Sequence, residues 1–197
     1  MILPALILAA AGQGSSEPAY PAAQILGAFG TLCGPIADLG ATAEAGAGAG
    51  WERFTPEPAS PIAELVSLGE TEGAKLIDKT KGDAMLPVVA LRRRVAGEDL
   101  VAILSGVRKD GTLVHGCRVY DVGESRAISD ADAEAWIGRA PTRHIDEAGV
   151  ALSSWEPGYK PDHDSFETYF ISSGSPAAQM FKVTGISLKA DFVGAAH

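Results

Sequence analysis

Asparagine is missing from the chain, and several other features are scarce. Without asparagine, no N-glycosylation site can occur anywhere in the 197 residues. Only 3 Trp, 4 Tyr and 6 Phe are present, so we expect a mostly aliphatic core. The net charge of −9 argues against nucleic acid as a partner, because phosphate binding depends on Lys and Arg. No apolar run after residue 11 approaches the ~20 residues of a membrane-spanning helix, so we predict no transmembrane segment in the mature chain.

Sequence motifs of the common enzyme classes are also missing. The chain contains no G-x-S-x-G, S-x-x-K or H-E-x-x-H motif and no P-loop. We therefore predict no catalytic residue, no metal ligand and no cofactor. The composition, with 46% hydrophobic and 21% charged residues, is that of a folded protein. The length suits one domain, which we place at residues 20–197.

The first eleven residues are apolar and end in small side chains. About a dozen apolar residues are too few to cross a bilayer but suit the core of a signal peptide. Ala9 and Ala11 form an A-x-A-like pair, which predicts cleavage near Ala11-Gly12. We assign residues 1–19 to a signal peptide and polar spacer, and the protein to the periplasm or the secreted fraction. A buried N-terminal helix is the alternative, because no Lys or Arg precedes the apolar segment.

Cys33 and Cys117 are the only cysteines. An even number of cysteines in an exported chain favours a disulfide, and this one would close a long loop. Two separate buried thiols are the alternative if the chain stays in the cytosol. Neither cysteine has the neighbouring spacing of a zinc site.

Apolar periodicity predicts three helical regions. The first covers residues 21–33, with Cys33 on its buried face, and an extension to about residue 45 precedes a flexible loop at 45–50. The second begins at Ser60-Pro61 and stops near Gly69. The third begins after Ser129 and ends before Pro141.

Runs of β-branched residues predict the strands. Residues 85–122 indicate a three-stranded antiparallel meander with two short turns. In its third strand, Cys117 shares one face with His115, while Arg118 lies on the other. Further strands are expected at 150–155, 166–172 and 180–190. The fold class is therefore α+β, with an antiparallel sheet of about six strands in two three-strand groups and helices packed on one face.

Two polar segments could carry chemistry. Asp162-His163-Asp164, with Glu156 and Glu167 nearby, could bind a divalent ion, although a solvated acidic loop explains the same residues. In Arg143–Glu147, His144 and Asp146 would share a side of an extended segment and could act as an acid–base pair. A surface segment following a helix is the alternative.

Basic residues gather in Arg92-Arg93-Arg94, with Lys75, Lys79 and Lys81 nearby in the chain. Arg92 and Arg94 share one strand face and could hold an anionic ligand or an acidic partner surface. The alternative is an edge strand that its charges protect from aggregation. His115, by contrast, is expected to be a hydrogen-bonded core residue.

One arrangement of residues resembles a pattern in small exported bacterial proteins of unknown function: Phe29-x3-Cys33, Gly50-Trp51 and a later strand with Cys117-x-Val119. The resemblance implies a disulfide and a location in the cell envelope. It implies no catalytic residue and no substrate.

Together these features favour an exported, non-enzymatic binding or interaction module. Its partner would be an unknown protein or a small ligand in the cell envelope. The alternative is a small hydrolase or metal-dependent enzyme that uses the loops around His144 and His163.

Overall fold

A computed structural model of the chain describes residues 18–195. The predicted signal peptide, its cleavage site and most of the spacer lie outside these residues. Only the end of the spacer, residues 18–19, is described. Within the described part, no helix has both the length and the apolar character needed to cross a membrane.

The described residues form a mixed α+β structure with five α-helices and one antiparallel sheet of nine strands. The helices are α1 (Ala22–Cys33), α2 (Leu39–Gly48), α3 (Pro61–Lys75), α4 (Asp130–Ile137) and α5 (Pro176–Phe181). The strands are β1 (Glu52–Arg53), β2 (Ala84–Met85), β3 (Val89–Val95), β4 (Glu98–Lys109), β5 (Thr112–Val122), β6 (Arg143–Glu147), β7 (Val150–Trp155), β8 (Ser165–Ile171) and β9 (Gly185–Ala195). Their order in the sheet is β1-β3-β4-β5-β9-β8-β7-β6, and β2 pairs with β4 outside this path.

The predicted meander is present as β3, β4 and β5. Its two turns use residues with positive φ, Ala96-Gly97 at 52° and 102° and Asp110-Gly111 at 49° and 75°. Such turns match the twist of antiparallel strands, which explains the tight connections. The strand β9 then pairs with β5 along its whole length and joins the meander to β8, β7 and β6.

One face of the sheet carries the main core. Phe29 of α1 lies 5.2 Å from Phe166 of β8 and 6.2 Å from Trp136 of α4, measured between ring centroids. The predicted disulfide between Cys33 and Cys117 is confirmed, and both residues are fully buried. It joins the end of α1 to the middle of β5, the third strand of the meander.

The other face carries a smaller apolar cluster under α3. Ile62 of α3 packs with Ile103 and Tyr120 of the sheet, and Leu65 and Val66 extend the contact. Because Ile103 precedes the core residue Leu104 in β4, strand alternation places this cluster on the opposite face.

Several expectations are corrected. The sheet has nine strands rather than about six, because β1, β2 and the polar β6 also pair. Helices lie on both faces rather than one, because α3 has an apolar side of its own. Residues 45–48 belong to α2 rather than to a loop, and α3 continues through Gly69 to Lys75. The last predicted strand begins at Gly185, because residues 176–181 form α5.

Candidate functional site

A groove lies on the second face of the sheet, between α3 and the end of α5, above β4, β5 and β9. We call it the sheet groove. It encloses a cavity of about 340 Å³, within the size range of small-molecule sites. Its walls are mainly apolar side chains, among them Leu65, Val66, Ile103, Val107, Val114 and Phe181. Arg118 and Asp191 also line it, so the groove combines apolar walls with charge.

A row of charged side chains crosses this face of the sheet from β5 to β8, and its members Arg118 and Asp191 line the groove. The Lys189 ammonium lies 2.7 Å from an Asp191 carboxylate oxygen and 2.9 Å from one of Glu167. Arg118 stands at the end of this row, with a guanidinium nitrogen 3.9 Å from Asp191. All four side chains are partly shielded, with exposed fractions from 17% for Glu167 to 31% for Arg118. Two positive and two negative groups leave the row neutral overall.

Arg118 lies back along the sheet over Gly116. A Cβ atom at Gly116 would collide with the Arg118 Nη1, so a larger residue there would displace the guanidinium from this position. The same Nη1 donates a hydrogen bond to the Ser105 Oγ over 3.2 Å. These contacts hold the guanidinium at the groove floor.

Two tyrosines stand near the row. Burial raises the pKa of Tyr120, and burial together with the neighbouring Glu167 raises the pKa of Tyr169. The Tyr169 hydroxyl donates to Glu167 over 2.9 Å. Both phenols are therefore neutral hydrogen-bond donors at physiological pH.

His163 lies in the core rather than in a solvated loop. It is 1% exposed, and its ring centroid lies 4.3 Å from that of Tyr159, with the two rings tilted by 47°. Its Nε2 donates to the Cys33 carbonyl over 3.0 Å, and its Nδ1 lies 3.1 Å from Asp162. The ring thus ties the loop before β8 to the end of α1. Asp164 accepts a backbone hydrogen bond from Val193 instead of joining His163.

His144 contacts Asp130 and Ser153 rather than Asp146. Its Nδ1 lies 2.9 Å from both the Asp130 carboxylate and the Ser153 Oγ. Ser153 is buried and donates its own hydrogen to Asp130. A serine nucleophile needs a base that takes this hydrogen while the carboxylate orients the base from its other nitrogen. Here one nitrogen faces both partners, so the three residues connect the start of α4 to β6 and β7.

Arg92 and Arg94 share a face of β3, as predicted, and line a shallow hollow beside Phe54. Arg92 lies 3.7 Å from Glu52, and Arg94 lies 3.8 Å from Asp99. β1 pairs with β3 at Arg92, so the strand is not a free edge there. Lys75 and Lys81 have acidic partners of their own, Glu72 and Asp110.

The expectation that His115 is a hydrogen-bonded core residue agrees with its contacts. It is buried, and its Nδ1 donates to the Ile36 carbonyl over 3.0 Å. It lies two residues before Cys117 on the same face of β5. Trp51 is likewise 3% exposed and part of the core.

Sequence reasoning missed a carboxylate cluster at the start of α1. Oxygen atoms of Glu98, Asp121 and Glu124 lie within 4.8 Å of one another. Arg126 bridges Glu98 and Glu124, and the Tyr20 hydroxyl donates to Asp121 over 2.9 Å. Burial raises the pKa of Asp121 to about 6, while hydrogen bonds from Arg126 lower the pKa of Glu124 to about 2. The cluster anchors the segment that leads into α1.

The sheet groove was also missed as a site, although part of its signal is visible in the sequence. The alternation of β5 places Val114, Gly116, Arg118 and Tyr120 on one face, and a glycine beside an arginine on that face is the distinctive feature. The partners from β4 and β9 come from distant parts of the chain. Only the strand pairing brings them together.

No protein-family model, no curated protein and no solved structure matches this chain.

Proposed function

We propose that this chain is an exported binding protein, periplasmic or secreted, that holds a small ligand with an apolar body in the sheet groove. The observation that carries the proposal is the cavity itself, about 340 Å³ of space between α3 and the sheet, with apolar walls and a polar floor. Sites for small ligands typically combine mostly apolar linings with a few placed polar groups.

Binding rather than catalysis is favoured by the groove lining. The described residues that line it include neither histidine nor cysteine. Its serine, Ser105, accepts a hydrogen bond from Arg118 instead of facing a general base.

Export is supported by two independent features. The apolar start of the sequence has the length of a signal-peptide core, and the Cys33–Cys117 disulfide is compatible with an extracellular protein. N-terminal sequencing of protein from periplasm or culture fluid tests this step. We expect a first residue between positions 12 and 20, and an intact Met1 would contradict export.

The binding step can be tested with 1-octanol as a neutral apolar probe and a variant that fills the groove. Gly69 of α3 lines the groove, and a Cβ atom there meets no atom within 4 Å. G69L should therefore fold and place its side chain in the cavity. We expect saturable 1-octanol shifts of the Val66 and Val114 methyl resonances in the wild type and their loss in G69L.

Gly48 offers a matched control. It lies in α2, away from the groove lining, and a Cβ atom there also meets nothing within 4 Å. G48L should bind 1-octanol as the wild type does. Equal binding by G69L and the wild type, or no saturable shift in the wild type, would contradict the proposed site.

A further inference from the structure

The polar contacts of the groove floor are unevenly distributed between donors and acceptors. An arginine guanidinium offers five N–H donors. Among residues 18–195, Ser105 is the one residue that accepts a hydrogen bond from the Arg118 guanidinium. Asp191 lies beyond hydrogen-bond distance at 3.9 Å. Arg118 lines the groove, and several of its donors therefore have no partner among residues 18–195.

Each of the two carboxylates in the charge row has one oxygen engaged by protein donors. One oxygen of Asp191 lies 2.7 Å from Lys189 and accepts from the Ser165 hydroxyl over 3.2 Å. One oxygen of Glu167 accepts from both Lys189 and Tyr169. A cationic ligand would lie beside the positive charges of Arg118 and Lys189, whereas an anionic group can use the donors that Arg118 leaves free.

We infer that the sheet groove takes an amphipathic monoanion, an apolar chain that ends in a carboxylate, and that the Arg118 guanidinium binds this carboxylate. This inference rests on the proposed function and names its ligand class. A planar guanidinium pairs with a carboxylate through two parallel hydrogen bonds. The apolar chain would lie along α3, against Leu65, Val66 and Val114.

The neutral charge row limits the ligand to one negative charge. Lys189 compensates only one of the two carboxylates beside it, and Arg118 compensates the other. A dianionic head group on Arg118 would bring excess negative charge close to Asp191. A carboxylate therefore fits this floor better than a phosphate monoester, which is largely dianionic at neutral pH.

The test compares octanoate, 1-octanol and octyl phosphate by calorimetric titration of the full chain at pH 7.5. R118Q should weaken octanoate binding about ten- to a hundredfold, the range for a lost charge-assisted hydrogen-bond pair. It should leave 1-octanol binding within about twofold. R118K keeps the charge without the planar fork and should weaken octanoate binding by a smaller factor. It also provides a second variant if R118Q fails to fold.

Arg108 supplies the matched control. It lies in β4 on the face opposite Arg118, and its side chain is exposed and contacts the Gly82 carbonyl. R108Q should bind all three probes as the wild type does. Octanoate binding that is unchanged in both R118Q and R118K, or octyl phosphate that binds more tightly than octanoate, would overturn the inference while the groove proposal stands. Failure of both octanoate and 1-octanol to bind the wild type would overturn the groove proposal as well.

Discussion

Breaking the Cys33–Cys117 disulfide should remove a large part of the stability of this protein. The bond closes a loop whose ends are 84 residues apart and which contains α2, α3 and most of the meander. The chain-entropy relation assigns ~4.6 kcal/mol to closing a loop of that length. Residual structure in the denatured state lowers such values in practice, so we expect a loss of about 3–4 kcal/mol. The total free energy of unfolding of a native domain is only about 5–15 kcal/mol.

The measurement is urea unfolding of oxidised and reduced protein, followed by tryptophan fluorescence and far-ultraviolet circular dichroism. Both cysteines are fully buried, so the protein should be reduced while unfolded and refolded with reductant present. The double variant C33A/C117A separates the cross-link from the thiols, because its unfolding should not respond to reductant. Its stability should lie close to that of the reduced wild type, slightly lower because each substitution removes a buried sulfur atom.

A difference below about 1 kcal/mol between oxidised and reduced protein would refute this reasoning. It would mean that the remaining contacts of α1 with β5 already confine the unfolded chain or that the two sulfur atoms are not bonded. Mass spectrometry distinguishes these cases, since the disulfide lowers the intact mass by two hydrogens. Sulfur atoms that are not bonded would also weaken the argument for an oxidising compartment.

Two further predictions concern the buried carboxylate and the aromatic core. Burial raises the pKa of Asp121 to about 6, so its contribution to stability is greatest below about pH 4 and falls as pH rises through 6. At pH 8, D121N should therefore have a free energy of unfolding about 1–2 kcal/mol higher than the wild type, after allowance for solvent screening. Urea titrations at pH 4 should show no such difference. An advantage for D121N that does not change with pH would contradict this sign. F29A should cost about 3–5 kcal/mol in the same assay, because Phe29 is fully buried against the rings of Trp136, Tyr159 and Phe166, and F29L should cost less.

Local signals in the sequence predicted the elements that local chemistry controls. Ser60 caps α3 by accepting from the Ala63 amide, and Ser129 caps α4 by accepting from the Asp132 amide. The period of two along β5 predicted that His115 and Cys117 lie on one face of the strand and Arg118 on the other. By the same logic, Ser175-Pro176 marks the start of α5, a helix that the sequence analysis does not include.

The errors arose where tertiary contacts override local preference. The glycine-rich residues 45–48 remain helical because α2 packs closely on α1, and a Cβ at Gly46 would lie 2.7 Å from Leu32. Here glycine serves close helix packing rather than flexibility. The polar strand β6 has no apolar alternation, because among residues 18–195 it is an edge strand with β7 as its one partner. The groove depends on strand pairing between distant segments, which periodicity within one segment cannot supply.

The charge row also explains why the groove is open. A helix laid over the middle of the sheet would remove Lys189, Glu167 and Asp191 from water, and burying paired charges commonly costs more than their attraction returns. Accordingly α3 covers only the apolar part around Ile103, and the charged middle keeps partial access to solvent. On the opposite face the same strands present Leu188 and Ala190, and that face is closed by the main core. The alternation of β9 therefore gives the sheet one face that carries the main core and one face whose charged middle stays partly open to solvent.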